Sequence, residues 1–210
     1  MVKEEHYNAY KRQVKHLKQV LNDSTYGLER ILRLFLCSIQ FIYPALIIRT
    51  LFGKFGALYR KVAVEIYIII KLFFPFFALA LGLYRYSIVI AVIIYFMSET
   101  IFYILNLIFL SDIYSSPVSY RRSILFLFLH YVEVVMDFSV IYIGLDLLNK
   151  ALTPLSAVYF SFVTNTTLGY GDYHPNCGMG QIVVIAQLLI FIMFVVLFIN
   201  YFSSGLGSKK

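Results

Sequence analysis

The chain has 210 residues, of which 60% are hydrophobic and only 14% are charged, and its mean hydropathy is +0.79. Soluble globular domains contain about 45–50% apolar residues, so this composition excludes a soluble domain and indicates an integral membrane protein. The two cysteines suggest neither a disulfide framework nor a metal site.

Most of the net charge of +7 lies in a basic N-terminal region, residues 1–61. Residues 1–22 are polar and the first apolar run begins at Ile31, so no cleavable signal is predicted. A basic arm joined directly to membrane spans is a poor nucleic-acid site, and the positive-inside rule places it in the cytoplasm or at the membrane interface. Anionic lipid headgroups are an additional expected partner. The basic residues of this region are Lys3, Lys11, Arg12, Lys15, Lys18, Arg30, Arg33, Arg49, Lys54, Arg60 and Lys61.

The segment 31–48 is apolar but carries a polar stripe. Its polar residues recur at helical spacing, which favours a helix that lies in the membrane interface rather than one that spans the membrane. Four spans and a cytoplasmic N-terminus follow from this interpretation. If 31–48 spans the membrane, the chain has five spans and an external N-terminus, and this alternative stays open. The polar positions are Arg30, Arg33, Cys37, Gln40 and Pro44.

The next two apolar segments, 62–84 and 87–110, are each long enough to cross a bilayer. Only a short link near Tyr84-Arg85-Tyr86 separates them. They therefore predict a transmembrane helical hairpin over residues 62–111.

Two ionisable residues of the hairpin, Lys71 and Glu99, lie equally far along the chain from Arg85. In an antiparallel hairpin they share one depth, which predicts an ion pair, because charges within a membrane are usually paired or functional. Asp137, in a later span, is expected to compete for Lys71. No basic residue lies in the span 87–110, so a voltage sensor of the usual kind is not expected.

Residues 117–210 contain two further long apolar segments, 123–149 and 181–203, on either side of a loop. Thr153-Pro154 predicts the start of a short helix over 154–166, since proline is tolerated in a first turn. The loop that follows this helix contains Thr166-Thr167-Leu168-Gly169-Tyr170-Gly171-Asp172.

This arrangement resembles the tetrameric potassium channels, in particular those of prokaryotic type, which have a two-helix pore module and a Thr-Leu-Gly-Tyr-Gly-Asp selectivity filter. The resemblance covers about 150–203 and does not extend to residues 1–111. It implies an all-α membrane fold in which 123–149 is the outer helix, 154–166 the pore helix and 181–203 the inner helix. It also implies a homotetramer that conducts K⁺.

By this resemblance, the filter and the K⁺ ligands are residues 167–171. K⁺ must exchange water for oxygen ligands, and successive backbone carbonyls face one axis when left- and right-handed backbone angles alternate. Gly169 and Gly171 permit the left-handed angles. Thr167 is expected to add a hydroxyl. Leu168 and Tyr170 are expected to add carbonyls, with the Tyr170 ring wedged against the pore helix.

Four further residues are expected to support the filter or its outer mouth: Thr166, Tyr159, Asp172 and His174. In the family, the acid at the position of Asp172 bonds behind the filter, and the Tyr159 hydroxyl is expected to reach it from a position where many members have tryptophan. Val163 replaces an acid that some members have. His174 is expected to ring the outer mouth, which predicts that external acid reduces the current or the block by quaternary amines.

The predicted inner helix has no glycine between Ile182 and Ser204, so a glycine hinge is not expected. A hydrophobic constriction by Phe194, Phe198 or their neighbours is the alternative gate. The stimulus that opens the gate stays undetermined.

The leading functional prediction is a potassium-selective channel of the cell membrane with both termini, including Lys209 and Lys210, in the cytoplasm. The alternatives are a less selective cation channel and a non-conducting membrane scaffold. A potassium-uptake subunit with four pore loops is disfavoured because the chain has one such loop. No sequence pattern of an intramembrane enzyme is present.

Overall fold

The computed structural model describes residues 9–23, 26–113 and 120–207, so the predictions for Lys3, Lys209 and Lys210 fall outside it. Within these ranges the secondary structure is helical, with two short 3-10 turns and a single isolated bridge in place of any strand. The α-helices are α1 (Ala9–Asn22), α2 (Gly27–Ile39), α3 (Pro44–Gly53), α4 (Ala57–Ala80), α5 (Ser87–Phe109), α6 (Tyr120–Gly144), α7 (Pro154–Asn165) and α8 (Gly178–Gly207).

Four of these helices, α4, α5, α6 and α8, are long and apolar enough to cross a membrane. The prediction of an all-α membrane protein with a transmembrane hairpin before two further spans is therefore confirmed. The predicted outer helix, 123–149, was too long, because α6 ends at Gly144. The chain leaves the helical conformation after Gly144, and Asp146 has a left-handed φ of 51°.

The segment 31–48 is not the single helix that its polar stripe predicted. Helix α2 is followed by a 3-10 turn, Gln40–Ile42, and α3 begins at Pro44 after a bend of 65°. Proline favours an extended residue before it, and Tyr43 has φ −92° and ψ 146°. By length and composition the bent pair is a broken span or a re-entrant segment, so the structure leaves both four and five spans open.

The chain divides into two compact units, and the boundary runs through both hairpin helices. The first unit contains Met1–Ile70 and Phe102–Ser116, and the second contains Lys71–Ile101 and Pro117–Lys210. Half of the hairpin therefore clusters with the segment in which the pore was predicted.

In the first unit, the apolar side of α1 is covered by the protein itself. Val20 of α1 packs with Leu36 and Cys37 of α2 and with Leu110, the residue after α5. Gln13 is also buried, and its Nε2 donates a hydrogen bond to the Cys37 carbonyl at 2.9 Å. The basic side of α1 is left on the surface.

Arg33 and Cys37, two positions of the predicted polar stripe, are directed into this unit rather than towards the membrane surface. Arg33 is only 6% exposed. Its Nη2 lies 2.6 Å from Asp112 Oδ2 and 3.4 Å from Asp23 Oδ2, and its Nη1 lies 3.5 Å from Glu29 Oε1. A buried guanidinium is tolerated when carboxylates pair with it, so these two positions of the stripe serve internal packing.

In the second unit, a buried cluster joins the hairpin to α6. Ala78 and Leu79 of α4 and Ile93 of α5 pack against Met136 and Val140 of α6. The hairpin turns through the 3-10 turn Leu83–Arg85 after Gly82, whose φ of 67° suits glycine.

At Gly144 the backbone of α6 approaches this turn closely. A Cβ atom there would lie 2.9 Å from the Tyr84 carbonyl oxygen and 2.7 Å from Ile90 Cδ1. We expect Gly144→Ala to lower stability by about 1–3 kcal/mol, because the added methyl group overpacks a site that includes backbone. Thermal unfolding of the purified protein in detergent measures this change.

The matched control is Gly178→Ala, since a Cβ atom at Gly178 meets no atom within 4 Å. Equal thermal midpoints for the two variants would contradict the close approach at Gly144.

Candidate ion-conduction site

The loop of interest is held at the C-terminal end of α7, whose two ends are both capped by side chains. At the N-terminal end, Thr153 Oγ1 accepts from the Ser156 backbone N–H at 3.2 Å, and Ser156 Oγ accepts from the Thr153 backbone N–H at 2.8 Å. This reciprocal pair is a capping box. At the other end, the Thr166 hydroxyl donates to the Phe162 carbonyl at 2.8 Å. The helix directs its partially negative end towards the loop.

Residues 167–171 have the alternating backbone that a ladder of carbonyls requires. The φ angles of Thr167, Gly169 and Gly171 are 59°, 58° and 79°, whereas Leu168 and Tyr170 between them have negative φ. A Cβ atom at Gly169 or Gly171 would meet nothing within 4 Å. Both glycines are therefore required for their left-handed φ rather than for space.

Thr167 adopts a left-handed φ although it is not glycine, at a typical cost of about 1–2 kcal/mol. Two backbone hydrogen bonds hold the chain at this point: Thr167 N–H donates to the Thr164 carbonyl at 3.0 Å, and Leu168 N–H donates to the Val163 carbonyl at 3.1 Å. The ladder begins directly where the helix ends.

Aromatic rings of the loop pack against Tyr159 of α7. The Tyr170 ring is parallel to the Tyr159 ring within 4°, with centroids 6.5 Å apart, and the Tyr173 ring meets Tyr159 edge-on at 6.2 Å. Loss of hydration raises the pKa of the Tyr159 phenol, and the nearby carboxylate of Asp172 adds to this. Tyr159 thus contacts the loop through its ring.

The segment that follows residue 171 is hydrogen-bonded to residues that follow α6. Asn149 N–H donates to the His174 carbonyl at 3.0 Å, and His174 N–H donates to Asn149 Oδ1 at 3.1 Å. Asn176 Nδ2 donates to the Leu148 carbonyl at 2.9 Å. The His174 side chain is exposed on this segment, with Nδ1 3.3 Å from the Pro175 carbonyl oxygen.

A buried polar network joins α6, α7 and α8. Tyr142 Oη donates to Gln187 Oε1 at 2.7 Å, and Gln187 Nε2 donates to the carbonyl and to the hydroxyl of Ser161, each at 3.0 Å. Ser161 Oγ in turn donates to the Val135 carbonyl at 2.6 Å. The Gln187 amide and the two hydroxyls are fully buried, so this network fixes the depth of α7 between its neighbours.

Helix α8 has two different faces. Phe194 is 1% exposed and meets the Tyr131 ring of α6 edge-on, with centroids 5.5 Å apart. The proposal of Phe194 as a pore constriction is therefore wrong, because its ring is enclosed within one chain. The exposed face carries a continuous apolar stripe of Ile182, Ile185, Leu189, Ile192, Val196 and Ile199.

Comparison with known protein families gives one similarity. Residues 124–206 match the model of the family described as "Ion channel", which is less than half of the chain. Residues 124–206 are therefore similar to an ion-channel domain. Neither the curated proteins nor the solved structures include a match to the chain.

A cluster of ionisable side chains lies where α4 and α5 pack against α6. Lys71 Nζ is 3.3 Å from Glu99 Oε2 and 3.2 Å from Glu133 Oε1, and it donates to Thr100 Oγ1 at 2.7 Å. His130 Nδ1 lies 2.8 Å from Glu133 Oε2. All five side chains are buried.

The expected competition of Asp137 for Lys71 takes a different form. Glu133, one helical turn before Asp137, provides the second carboxylate close to Lys71. Asp137 is 2% exposed, and its Oδ2 has no hydrogen-bond partner within the described part of the chain.

Sequence reasoning did not find Gln187, Ser161 and Tyr142. A glutamine in the middle of a long apolar run was the available signal, because a polar side chain within a membrane span needs a partner. The partners lie 26 and 45 residues away, and only the packed structure identifies them.

The contribution of the Gln187 network to stability can be tested by replacing Gln187 with leucine. We expect Gln187→Leu to destabilise the ion-channel domain by about 2 kcal/mol, because three hydrogen bonds are lost and each contributes about 0.6 kcal/mol within a membrane. Thermal unfolding in detergent measures the loss. Gln181→Leu, at an exposed position of the same helix, is the control, and an equal effect of both changes would refute the role of Gln187.

The charge cluster predicts a larger effect for Lys71→Met. Removal of the ammonium leaves two carboxylates buried without it, which typically costs about 3–5 kcal/mol. Lys61→Met changes the same charge at an exposed position of α4 and should be nearly neutral. If Glu133→Gln is added to Lys71→Met, part of the stability should return; a further loss of similar size would show that the three groups do not act together.

Proposed function

We propose that the protein is a passive, potassium-selective channel in which four identical chains form one pore. The observation that carries this proposal is the alternating backbone of residues 167–171 within an ion-channel domain. Alternation turns successive carbonyl oxygens towards one side of the loop, and a ring of such carbonyls can replace the hydration shell of K⁺. K⁺ is the substrate of this site rather than a resident cofactor.

The need for several chains is supported by what one chain leaves exposed. Leu168 and Tyr170 are 60% and 66% exposed, although they belong to the segment that would surround the ion. One loop provides oxygen atoms on one side of an ion only, whereas dehydrated K⁺ requires them all around. The exposed stripe of α8 provides a second surface for copies of the same chain.

Charge supports an orientation with both termini in the cytoplasm. Arg121 and Arg122 are exposed at the start of α6, and the N-terminal region carries most of the remaining positive charge. The positive-inside rule places both on the cytoplasmic side, so the loop 167–171 opens to the outside of the cell membrane. The span α5 carries no Lys or Arg, which supports a channel without a conventional voltage sensor.

Two other functions are retained as outcomes of the test. A less selective cation channel would keep the carbonyl ladder without strict preference for K⁺. A non-conducting scaffold would keep the fold alone. The ion-channel domain favours conduction and gives no reason to expect enzymatic activity.

The test is ion flux through purified protein in liposomes, with K⁺ and Na⁺ compared under the same gradient. We expect K⁺ flux to exceed Na⁺ flux, and Gly169→Ala to lower the K⁺ flux or the ratio by roughly tenfold or more. An alanine at φ 58° is disfavoured by about 1–2 kcal/mol, so the conformation with alternating carbonyls is populated roughly tenfold less.

Gly178→Ala is the control, because it adds the same methyl group at a position without positive φ and without close neighbours. Equal K⁺ and Na⁺ flux in the unmodified protein would favour the less selective channel. Absence of flux under every condition would favour the scaffold.

A further inference from the structure

The exposed side of α1 is a basic surface. Lys11, Arg12, Lys15 and Lys18 are all exposed, while Val20 on the opposite side is fully buried. An amphipathic helix that lies on a membrane normally inserts its apolar side. Here that side already packs within the protein, so the charged side is the one available to a ligand.

Part of this surface borders an open-sided cavity of about 470 Å³. Lys15, Lys18, Gln19 and Asn22 line it from α1, and the remaining wall consists of Asp23, Asp112 and Ile113. The cavity therefore combines two ammonium groups, two amides and two carboxylates.

The carboxylates of the cavity are already compensated. Asp112 and Asp23 both face the buried Arg33, with distances of 2.6 Å and 3.4 Å to Nη2. Lys15 and Lys18 have no ion pair within the described part of the chain. With Arg33 and its third partner Glu29 counted, three positive and three negative side chains meet here. All three carboxylates pair with Arg33, so the charges of Lys15 and Lys18 are left for a ligand.

The position of the cavity suggests the source of its ligand. Asp112 and Ile113 follow directly on the end of the membrane span α5 at Phe109. The chain beyond the end of a span is at the depth of lipid headgroups. An anionic headgroup at this depth is attracted by about 1 kcal/mol for each nearby Lys or Arg.

We propose that this cavity binds the headgroup of an anionic phospholipid, with Lys15 and Lys18 on its phosphate. The amide groups of Gln19 and Asn22 donate to phosphate or ester oxygens. The carboxylates of Asp23 and Asp112 accept from hydroxyl groups of the headgroup, which favours a phosphodiester lipid that carries hydroxyls, such as phosphatidylglycerol. The ligand is a lipid of the membrane rather than a soluble anion, because its acyl chains add apolar burial beside the span.

Binding can be measured without ion flux, so the result is independent of the proposed channel selectivity. The full-length protein in an uncharged detergent is titrated with dioctanoyl-phosphatidylglycerol and followed by native mass spectrometry. We expect saturable binding, little binding of dioctanoyl-phosphatidylcholine, and roughly 30-fold weaker binding of phosphatidylglycerol to the variant Lys15→Gln/Lys18→Gln, since two charges contribute.

Two control variants distinguish binding of the lipid in the cavity from non-specific electrostatic attraction of the lipid to the basic helix α1. Lys11→Gln/Arg12→Gln removes the same charge from the same helix but changes no residue of the cavity, and should leave affinity within a few-fold. Gln19→Ala/Asn22→Ala changes no charge and should still weaken binding. Equal loss for both charge variants, with no effect of the neutral variant, would overturn the proposal in favour of diffuse attraction.

The competing ligands are tested in the same titration. Inorganic phosphate at the lipid concentration should not displace the lipid, and displacement would show a soluble-anion site instead. A poly-glutamate peptide should not compete either. Binding of that peptide with no binding of phosphatidylglycerol would overturn the proposal and indicate an acidic protein partner.

Discussion

The hydrogen bonds of one buried amide, Gln187, connect the three helices α6, α7 and α8. Its carbonyl accepts from Tyr142 of α6, and its NH₂ group reaches both oxygens of Ser161 in α7. In hydrocarbon, an unmet polar group costs several kcal/mol, so these groups favour one relative depth of the three helices over any shifted arrangement. Apolar packing alone would tolerate a shift, because one apolar surface resembles the next.

The depth of α7 decides where the loop after it begins. Thr166 closes the helix through the Phe162 carbonyl, and the left-handed residue Thr167 follows at once. The far end of the loop is fixed separately, through Asn149 and His174. A segment held at both ends can keep backbone angles that a free loop would not keep, and this explains how a threonine occupies a region that favours glycine.

Much of this arrangement follows from the sequence, and the reasons for the exceptions are physical. The four long apolar helices are predictable since about 20 consecutive apolar residues have few alternatives in a membrane. The proximity of Lys71 and Glu99 follows from counting residues on either side of one turn. The sequence does not predict that Glu133, rather than Asp137, lies next to Lys71. The two acids differ by one helical turn, and only packing sets the depth of α6. Pro44 was a local signal for the break after Tyr43, because proline favours an extended residue before it. The polar stripe across 31–48 favoured one continuous helix instead.

The left-handed angle of Thr167 has a consequence for assembly. The carbonyl alternation is present within a single chain, so the loop does not have to be ordered by its partners. Association of preorganised surfaces avoids the entropy of immobilising a loop, and the cost of the unfavourable angle is met during folding of each chain. In the proposed tetramer, the chains would therefore not have to rearrange this loop in order to associate.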